Sequence, residues 1–491
     1  MSKPRERMAS TLLLAYASTG VSQLANQIFF FILLRYLPVE SVGIYSWAIA
    51  VATIYTYVMD LGLSPFLVGE LSNRVYCLRT LLHAGLLLRG PVLLLGGVLL
   101  FTWAAVGEPS GLELCTLGLV MLTYVVQMLD GAVVPWFQAA HRQNAANLLS
   151  LIVPLARLAC ILALLMADRG ITLVQVAWIS LLTQIAGTVI LVHAARRTQA
   201  TLPAPLEGGS VRQLLSQFRQ RGPGLAIMYG INILQARLDW ILVFALVSRV
   251  ALANYSIANK VIELAMLMAS IWARTSFPWL SRSDAQSSAV QRQLGFLRRL
   301  FLISAGLCAI VLFFGSPLLI ELFFGSKYAA ARAPLALLSL ATAIFMLNQY
   351  FLYDLLSSGL EKTYTMIIAV VIIGQVLMNF WLLPQIGVEG AALALVVTGV
   401  AIHVGQVALL MRAMKLDRDE VVRMETFNLT LSGGLATAWW LDVPPTTAAI
   451  ALLAIAGLLS LSVVLRADDR KHLAELWTEV RLRLLCRTSK V

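Results

Sequence analysis

The chain has 491 residues, of which 59% are hydrophobic and only 13% charged, with a formal net charge of +12 and a mean hydropathy of +0.82. Soluble domains carry about 25% charged residues, so the composition excludes an ordinary soluble enzyme. Runs of the roughly 20 apolar residues that cross a bilayer recur from end to end. They lack the ten-residue alternation of barrel strands, which predicts an all-α polytopic membrane protein.

In chain order, helical spans are expected over 8–35, 41–67, 80–106, 112–139, 145–167, 172–194, 223–249, 251–280, 297–324, 333–357, 363–384, 388–411, 427–443 and 446–465. That makes about 14 transmembrane helices. The opening MSKPRER leads into an apolar run too long for a signal peptide and without a small-residue cleavage site, so it is read as the first span. With the N-terminus inside, five of the 37 Lys and Arg lie outside: Arg35, Arg169, Arg249, Lys327 and Arg332. Five more lie within spans, and the remainder fall at or beyond the cytoplasmic ends. This bias predicts a multi-pass membrane protein with both termini cytoplasmic. It also accounts for the basic balance without nucleic acid. Cys77, Cys115, Cys160, Cys308 and Cys486 are scattered, with neither a disulfide framework nor zinc-ligand spacing.

A polar, arginine-rich stretch over 195–222 separates the first six spans (1–194) from the next six (223–412). Gly20, Leu24, Tyr45, Ser46 and Ala48 recur at a constant offset as Gly230, Leu234, Tyr255, Ser256 and Ala258. Paired six-helix repeats with pseudo-twofold symmetry are a transporter architecture. Two further spans follow over 413–465. The tail, 466–491, spaces Leu473, Leu476, Trp477, Val480 and Leu484 as an amphipathic helix for the anionic cytoplasmic leaflet, with Asp468 and Asp469 as its caps.

The first hairpin, GVSQLANQIFFFILLRYLPVESVGIYSWAIAVATIYTYVMDLGLSPFLVGELS, resembles the opening of the polysaccharide and O-antigen flippases, in the superfamily that also holds multidrug extruders and peptidoglycan-precursor flippases. ANYSIANKVIEL (253–264), FPWLSR (277–282), ELFFGSKYAAA (321–331) and LLPQIGVEGAALALVV (382–397) extend the resemblance over about residues 10–412. The first span lacks the arginines of the peptidoglycan-precursor branch. The resemblance implies a lipid-linked oligosaccharide, typically on undecaprenyl pyrophosphate, passed from the cytoplasmic to the periplasmic leaflet by alternating access of two bundles. Surface-polysaccharide synthesis is the implied setting, with a polysaccharide polymerase and a chain-length regulator as partners beside the membrane lipids.

Charges inside spans need a partner or a wet cavity, because each costs at least about 2.5–3.5 kcal/mol at the bilayer centre. The cations are Arg89, Arg157, Arg237, Lys260 and Arg274; the acids are Asp60, Asp130, Asp239 and Glu263, with Asp354 nearer the cytoplasmic face. Depth places Asp239 level with Lys260, Arg237 with Glu263, and Arg89 with Asp130, so structural pairing competes with substrate contact. The five cations are candidate phosphate contacts, since an arginine fork binds phosphate through two parallel bonds. Arg157, with no acid at its level in its own hairpin, is preferred. Asn26 and Tyr57 are candidate sugar contacts; Asp60, Asp239 and Glu263 are candidates for ion coupling. The cluster Asn348, Gln349, Tyr350 and Tyr353 can also bond sugars, and His403 reads as a packed histidine rather than a proton carrier.

No GxxxxGK[ST] occurs, so no P-loop supplies ATP, and no cofactor, metal or catalytic residue is expected. The DxD of Asp417, Arg418 and Asp419 reads as a solvated basic joint. A multidrug extruder of the same superfamily is the alternative transporter. A membrane polymerase or glycosyltransferase is the alternative enzyme, disfavoured by external loops of only a few residues.

Overall fold

The computed structural model describes residues 2–60, 62–64, 66–67, 78–106, 110–140, 142–167, 170–201, 211–280, 288–413, 416, 418–441, 443–465 and 469. Among them the fold is all helix. The order is α1 (Ser2–Tyr36), α2 (Val39–Asp60), α3 (Leu78–Val106), α4 (Gly111–Ala139), α5 (Gln143–Leu149), α6 (Ile152–Met166), α7 (Leu173–Thr201) and α8 (Val211–Leu246). Then come α9 (Arg249–Leu280), α10 (Ser288–Leu319), α11 (Arg332–Leu340), α12 (Thr342–Ser357), α13 (Glu361–Ile386), α14 (Val388–Arg412), α15 (Arg418–Trp440) and α16 (Pro445–Leu459). Each expected span coincides with a helix or a broken pair. Nine helices among the described residues are long and apolar enough to cross a membrane, or ten with the pair bent by 54° between Ser326–Leu340 and Thr342–Leu355. Of those outside that count, α8 and α9 carry Arg237, Asp239, Lys260 and Glu263, so their low hydropathy is where the ions sit. The expected linker begins within α7 and ends within α8; its centre, 202–210, lies outside the described residues, as does the tail 466–491 apart from Asp469.

The chain divides into two compact units. The first comprises Met1–Ser256, Glu321–Tyr328 and Val376–Ala391. Here α2 packs on α4 and α8, and α4 packs on α7. Small residues set these approaches, as expected where lipid supplies no hydrophobic drive between helices. Ala48, Ala50 and Ala52 are wholly buried on α2. A Cβ on Gly43 would overlap the carbonyl of Arg249 at the start of α9. One turn further along, Ser46 Oγ donates to Ser256 Oγ at 3.1 Å. These two serines are equivalents in the sequence repeat, so the repeat has a physical counterpart. The equivalent tyrosines diverge: Tyr45 OH lies 3.5 Å from Ser180 Oγ, whereas Tyr255 OH bonds Asp239.

Two of the resembling motifs acquire structural roles in this unit. In 321–331, a π-helical turn (Ile320–Phe324) breaks at Gly325, φ +86°, into a 3-10 turn. That left-handed conformation suits glycine. Lys327 Nζ then donates to the carbonyls of Arg35 and Leu37, at 3.0 and 2.9 Å, and Tyr328 OH to that of Leu34, at 3.0 Å. They satisfy carbonyls that a helix end leaves orphaned, so this distant segment caps α1. In 382–397, Gly387 (φ +60°) makes the reversal between α13 and α14.

The second unit comprises Ile257–Ile320, Ala329–Gln375 and Ala392–Val491. Its centre is α10, against which α11, α12, α15 and α16 all pack. The two C-terminal helices are built into this unit: a Cβ on Gly306 of α10 would overlap the Phe427 ring of α15, and one on Gly434 would overlap Leu452 of α16.

Candidate functional site

In the first unit, Arg89, Asp60, Asp130 and Asp239 are held by neighbours from other helices. Arg89 is buried on α3; Nη2 donates to Asp60 Oδ1 on α2 at 2.5 Å, and Nη1 to the Met128 carbonyl on α4 at 2.9 Å. Asp60 also accepts from the backbone and hydroxyl of Ser64, at 3.0 and 2.7 Å. Asp130, the partner expected for Arg89 from depth alone, instead accepts from Gln184 at 2.9 Å and Thr188 at 2.8 Å, both on α7. Depth within one hairpin thus missed a donor pair on a third helix.

Asp239 shows a similar displacement. It is buried on α8 and accepts from Tyr255 OH at 2.5 Å and from the Trp240 backbone at 2.9 Å. The hairpin turns between Leu246 and Arg249, so Tyr255 stands at nearly the depth of Asp239. A neutral phenol therefore fills the place expected for Lys260. Arg237 places its guanidinium 4.6 Å from the Trp240 ring centre, one turn along its own helix. In the second unit, Lys260 Nζ meets Glu263 at 2.6 Å, three residues on. An i,i+3 partner on the same helix needs no registration between helices.

Tyr255→Phe should leave the buried Asp239 carboxylate short of a donor, at a cost of about 1–3 kcal/mol. A lowered Tm in detergent-purified protein is the expected result; an unchanged melt would mean the phenol contributes nothing to this carboxylate.

Arg157 sits differently. It is partly buried on α6, which packs on α1, with Cζ 5.5 Å from the Phe29 ring centre. Among the described residues it makes no ion pair, and its Nε is buried without a hydrogen-bond partner. Asn26 stands one turn before Phe29 on the same face of α1 and is partly buried. Tyr57 is more exposed, on α2. The Arg274 backbone lies in α9, and its side chain is outside the described residues.

Several buried polar centres of the second unit were not singled out by sequence reasoning. Arg298 bonds Glu420 at 3.1 Å and faces Asp354 at 3.7 Å, while Arg299 Nη2 donates to Asp469 at 2.9 Å. The tandem Arg298-Arg299 at the start of an apolar run was the available signal. His403 is buried between Asn348 Oδ1 (Nδ1, 2.8 Å) and Glu425 (Nε2, 2.9 Å), stacked on Phe351. That is the packed histidine expected. Tyr350 stacks on Phe301 at 5.5 Å. Asp419 and Glu420 form the acidic first turn of α15, a favourable placement at a helix N-terminus; Asp417 lies outside the described residues.

The sequence matches the family described as "Polysaccharide biosynthesis protein" over residues 9–284, more than half of the chain. No curated protein matches it. Among solved structures, it is similar to a lipid II flippase, MurJ, in an inward closed conformation: TM-score 0.68, 12% identity, covering 91% of this chain and 97% of that one. It is also similar to the MATE multidrug transporter DinF-BH: TM-score 0.60, 13% identity, 83% and 96% coverage. A third, an outward-facing multidrug resistance MATE family transporter of the MOP superfamily, gives TM-score 0.52 at 14% identity, with 84% and 96% coverage. At these identities the likeness establishes the fold, and the matched family supplies the lineage. The chain belongs to the polysaccharide biosynthesis protein family and is a multi-pass membrane protein whose fold is that of the flippase and multidrug-transporter structures it resembles.

Proposed function

We propose that this protein flips a lipid-linked oligosaccharide, carried on undecaprenyl pyrophosphate, from the cytoplasmic to the periplasmic leaflet of a bacterial inner membrane by alternating access. Surface-polysaccharide synthesis is its setting, and a polymerase and a chain-length regulator are its proposed partners. Arg157 carries the reading. Arg89, Arg249, Arg298 and Arg299 each meet a carboxylate, whereas Arg157 has no ion pair among the described residues and keeps a guanidinium edge for an anion. Asn26, one turn from Phe29, supplies an amide for sugar hydroxyls. The acids Asp60, Asp239 and Glu263 remain the proposed coupling positions, and Arg89, Arg237, Lys260 and Arg274 secondary phosphate positions.

Everted membrane vesicles test this, because their cytoplasmic leaflet faces the medium. In vesicles lacking the protein, the lipid-linked oligosaccharide should stay open to added glycosidase; with it, the glycolipid should become protected. A reporter at residue 210 should signal from the cytoplasm. Vesicles that accumulate a cationic dye yet leave the glycolipid exposed would favour the multidrug extruder instead.

A further inference from the structure

The first unit contains a cavity of about 920 Å³ between α2, α3, α4 and the end of α8, and Arg157 is not among the residues that line it. Its lining is ordered by helical spacing. On α2, Trp47, Val51 and Tyr55 follow Glu40 down one face; on α4, Leu117 and Met121 follow Glu113 at successive four-residue steps. Phe244 of α8 stacks on Trp47 at 4.7 Å, with planes 14° apart. Tyr55 directs its hydroxyl to the Leu93 carbonyl at 3.2 Å, so it offers the cavity its ring rather than a polar group. Gly96 on α3 leaves room for that ring, since a Cβ there would overlap it. The rim carries exposed Val250.

One end is charged. Arg249 Nε donates to Glu113 at 2.7 Å and Nη1 to Glu40 at 2.8 Å. The side chains of Arg249 and Glu40 stay 40% and 56% exposed, so both signs of charge are accessible at the mouth. The apolar shaft from Trp47 to Tyr55 is eight residues long, about 12 Å. That is close to one leaflet, half of a hydrocarbon core of about 30 Å. The volume lies within the range of about 300–1,000 Å³ typical of ligand sites.

We propose that this crevice seats a zwitterionic phospholipid with a primary-amine head. Its acyl chain fills the shaft, its phosphate meets Arg249 and its ammonium meets Glu40. Two carboxylates against one guanidinium give the mouth an excess of negative charge, which favours an ammonium and opposes a dianionic pyrophosphate. The site is thus distinct from the proposed substrate contact at Arg157 and stands whether or not that reading holds. In the proposed orientation it opens on the periplasmic leaflet.

The probe is phosphatidylethanolamine with a photoreactive acyl chain, in nanodiscs holding the full-length protein, with adducts mapped by mass spectrometry. Adducts should concentrate on peptides carrying Val51, Leu117 and Met121, at least about fivefold above those obtained with phosphatidylglycerol of the same chain. Phosphatidylcholine, which keeps the charge but lacks N–H donors, should fall between. Met121→Trp fills the shaft and should remove these adducts; Glu40→Gln should lower the ethanolamine signal to the glycerol level. Should Met121→Trp fail to insert, the headgroup comparison on the unaltered chain decides. Equal labelling by both heads, or adducts no richer than on the exposed Leu94 and Leu95, would mean ordinary surrounding lipid and overturn the proposal. Displacement by undecaprenyl phosphate but not by phosphatidylethanolamine would also overturn it, assigning the shaft to the substrate's tail.

Discussion

Arg157→Gln should abolish nearly all surface polymer while leaving the amount of protein in the membrane unchanged. The guanidinium makes no ion pair among the described residues, so removing its charge strands no carboxylate. The change also keeps a polar side chain of similar length over Phe29. Loss of the charge removes the anchor for the phosphates. Charge-assisted bonds contribute about 1.5–3 kcal/mol each, so losing two of them reduces affinity on the order of 10²-fold or more. Arg157→Lys should retain part of the transport, because the ammonium still neutralises but lacks the planar fork. Asn26→Ala and Tyr57→Phe should reduce it less, since a hydrated sugar has many alternative bonds. Polymer yield per membrane-inserted protein, with every variant in one deletion strain, is the measurement. Normal yield from Arg157→Gln beside loss in Asn26→Ala would move recognition from phosphate to sugar.

The second large effect is on assembly. Arg298→Met should deplete folded protein, because Asp354 and Glu420 would lose the guanidinium that faces both. Breaking a buried ion pair costs about 3–5 kcal/mol, against a whole-domain stability of roughly 5–15 kcal/mol. Replacing all three together, with Asp354→Leu and Glu420→Met, removes the stranded charges and should restore much of the yield. Detergent-extracted monodisperse protein, measured by size-exclusion chromatography, distinguishes the two. If the triple variant is as depleted as the single one, the cluster does more than neutralise itself.

These two arginines also mark how far the sequence could be read. Helices were legible because the bilayer fixes their length, and the loop charges add an orientation to test. The level of each intramembrane charge was legible too, since rise per residue converts position into depth. What depth cannot give is azimuth and the identity of a neighbour from a third helix. Asp130 therefore found Gln184 and Thr188, Arg89 found Asp60, and Asp239 found a phenol. Considering charged partners alone hid Tyr255, although it lay within the resembling segment 253–264. Arg157 stood out for the opposite reason: no acid shared its level in its own hairpin, and none among the described residues pairs with it in the fold. Arg298 was counted with the loop cations because it begins an apolar run, yet it is buried.

The capping of α1 by Lys327 and Tyr328 bears on the order in which the protein is made. Helix α1 has carbonyls at its end satisfied by side chains that leave the ribosome almost 300 residues later. The first unit also includes Val376–Ala391, so it is not a product of the N-terminal half alone. During synthesis, the early helices must wait in the bilayer with an unfinished end until residue 328 and then residue 391 arrive. Chains released before that point present an incomplete first unit to membrane proteases. Split expression should follow the same logic: fragments divided in the linker near residue 205 should be unstable apart, with the N-terminal one rescued by co-synthesis of the other.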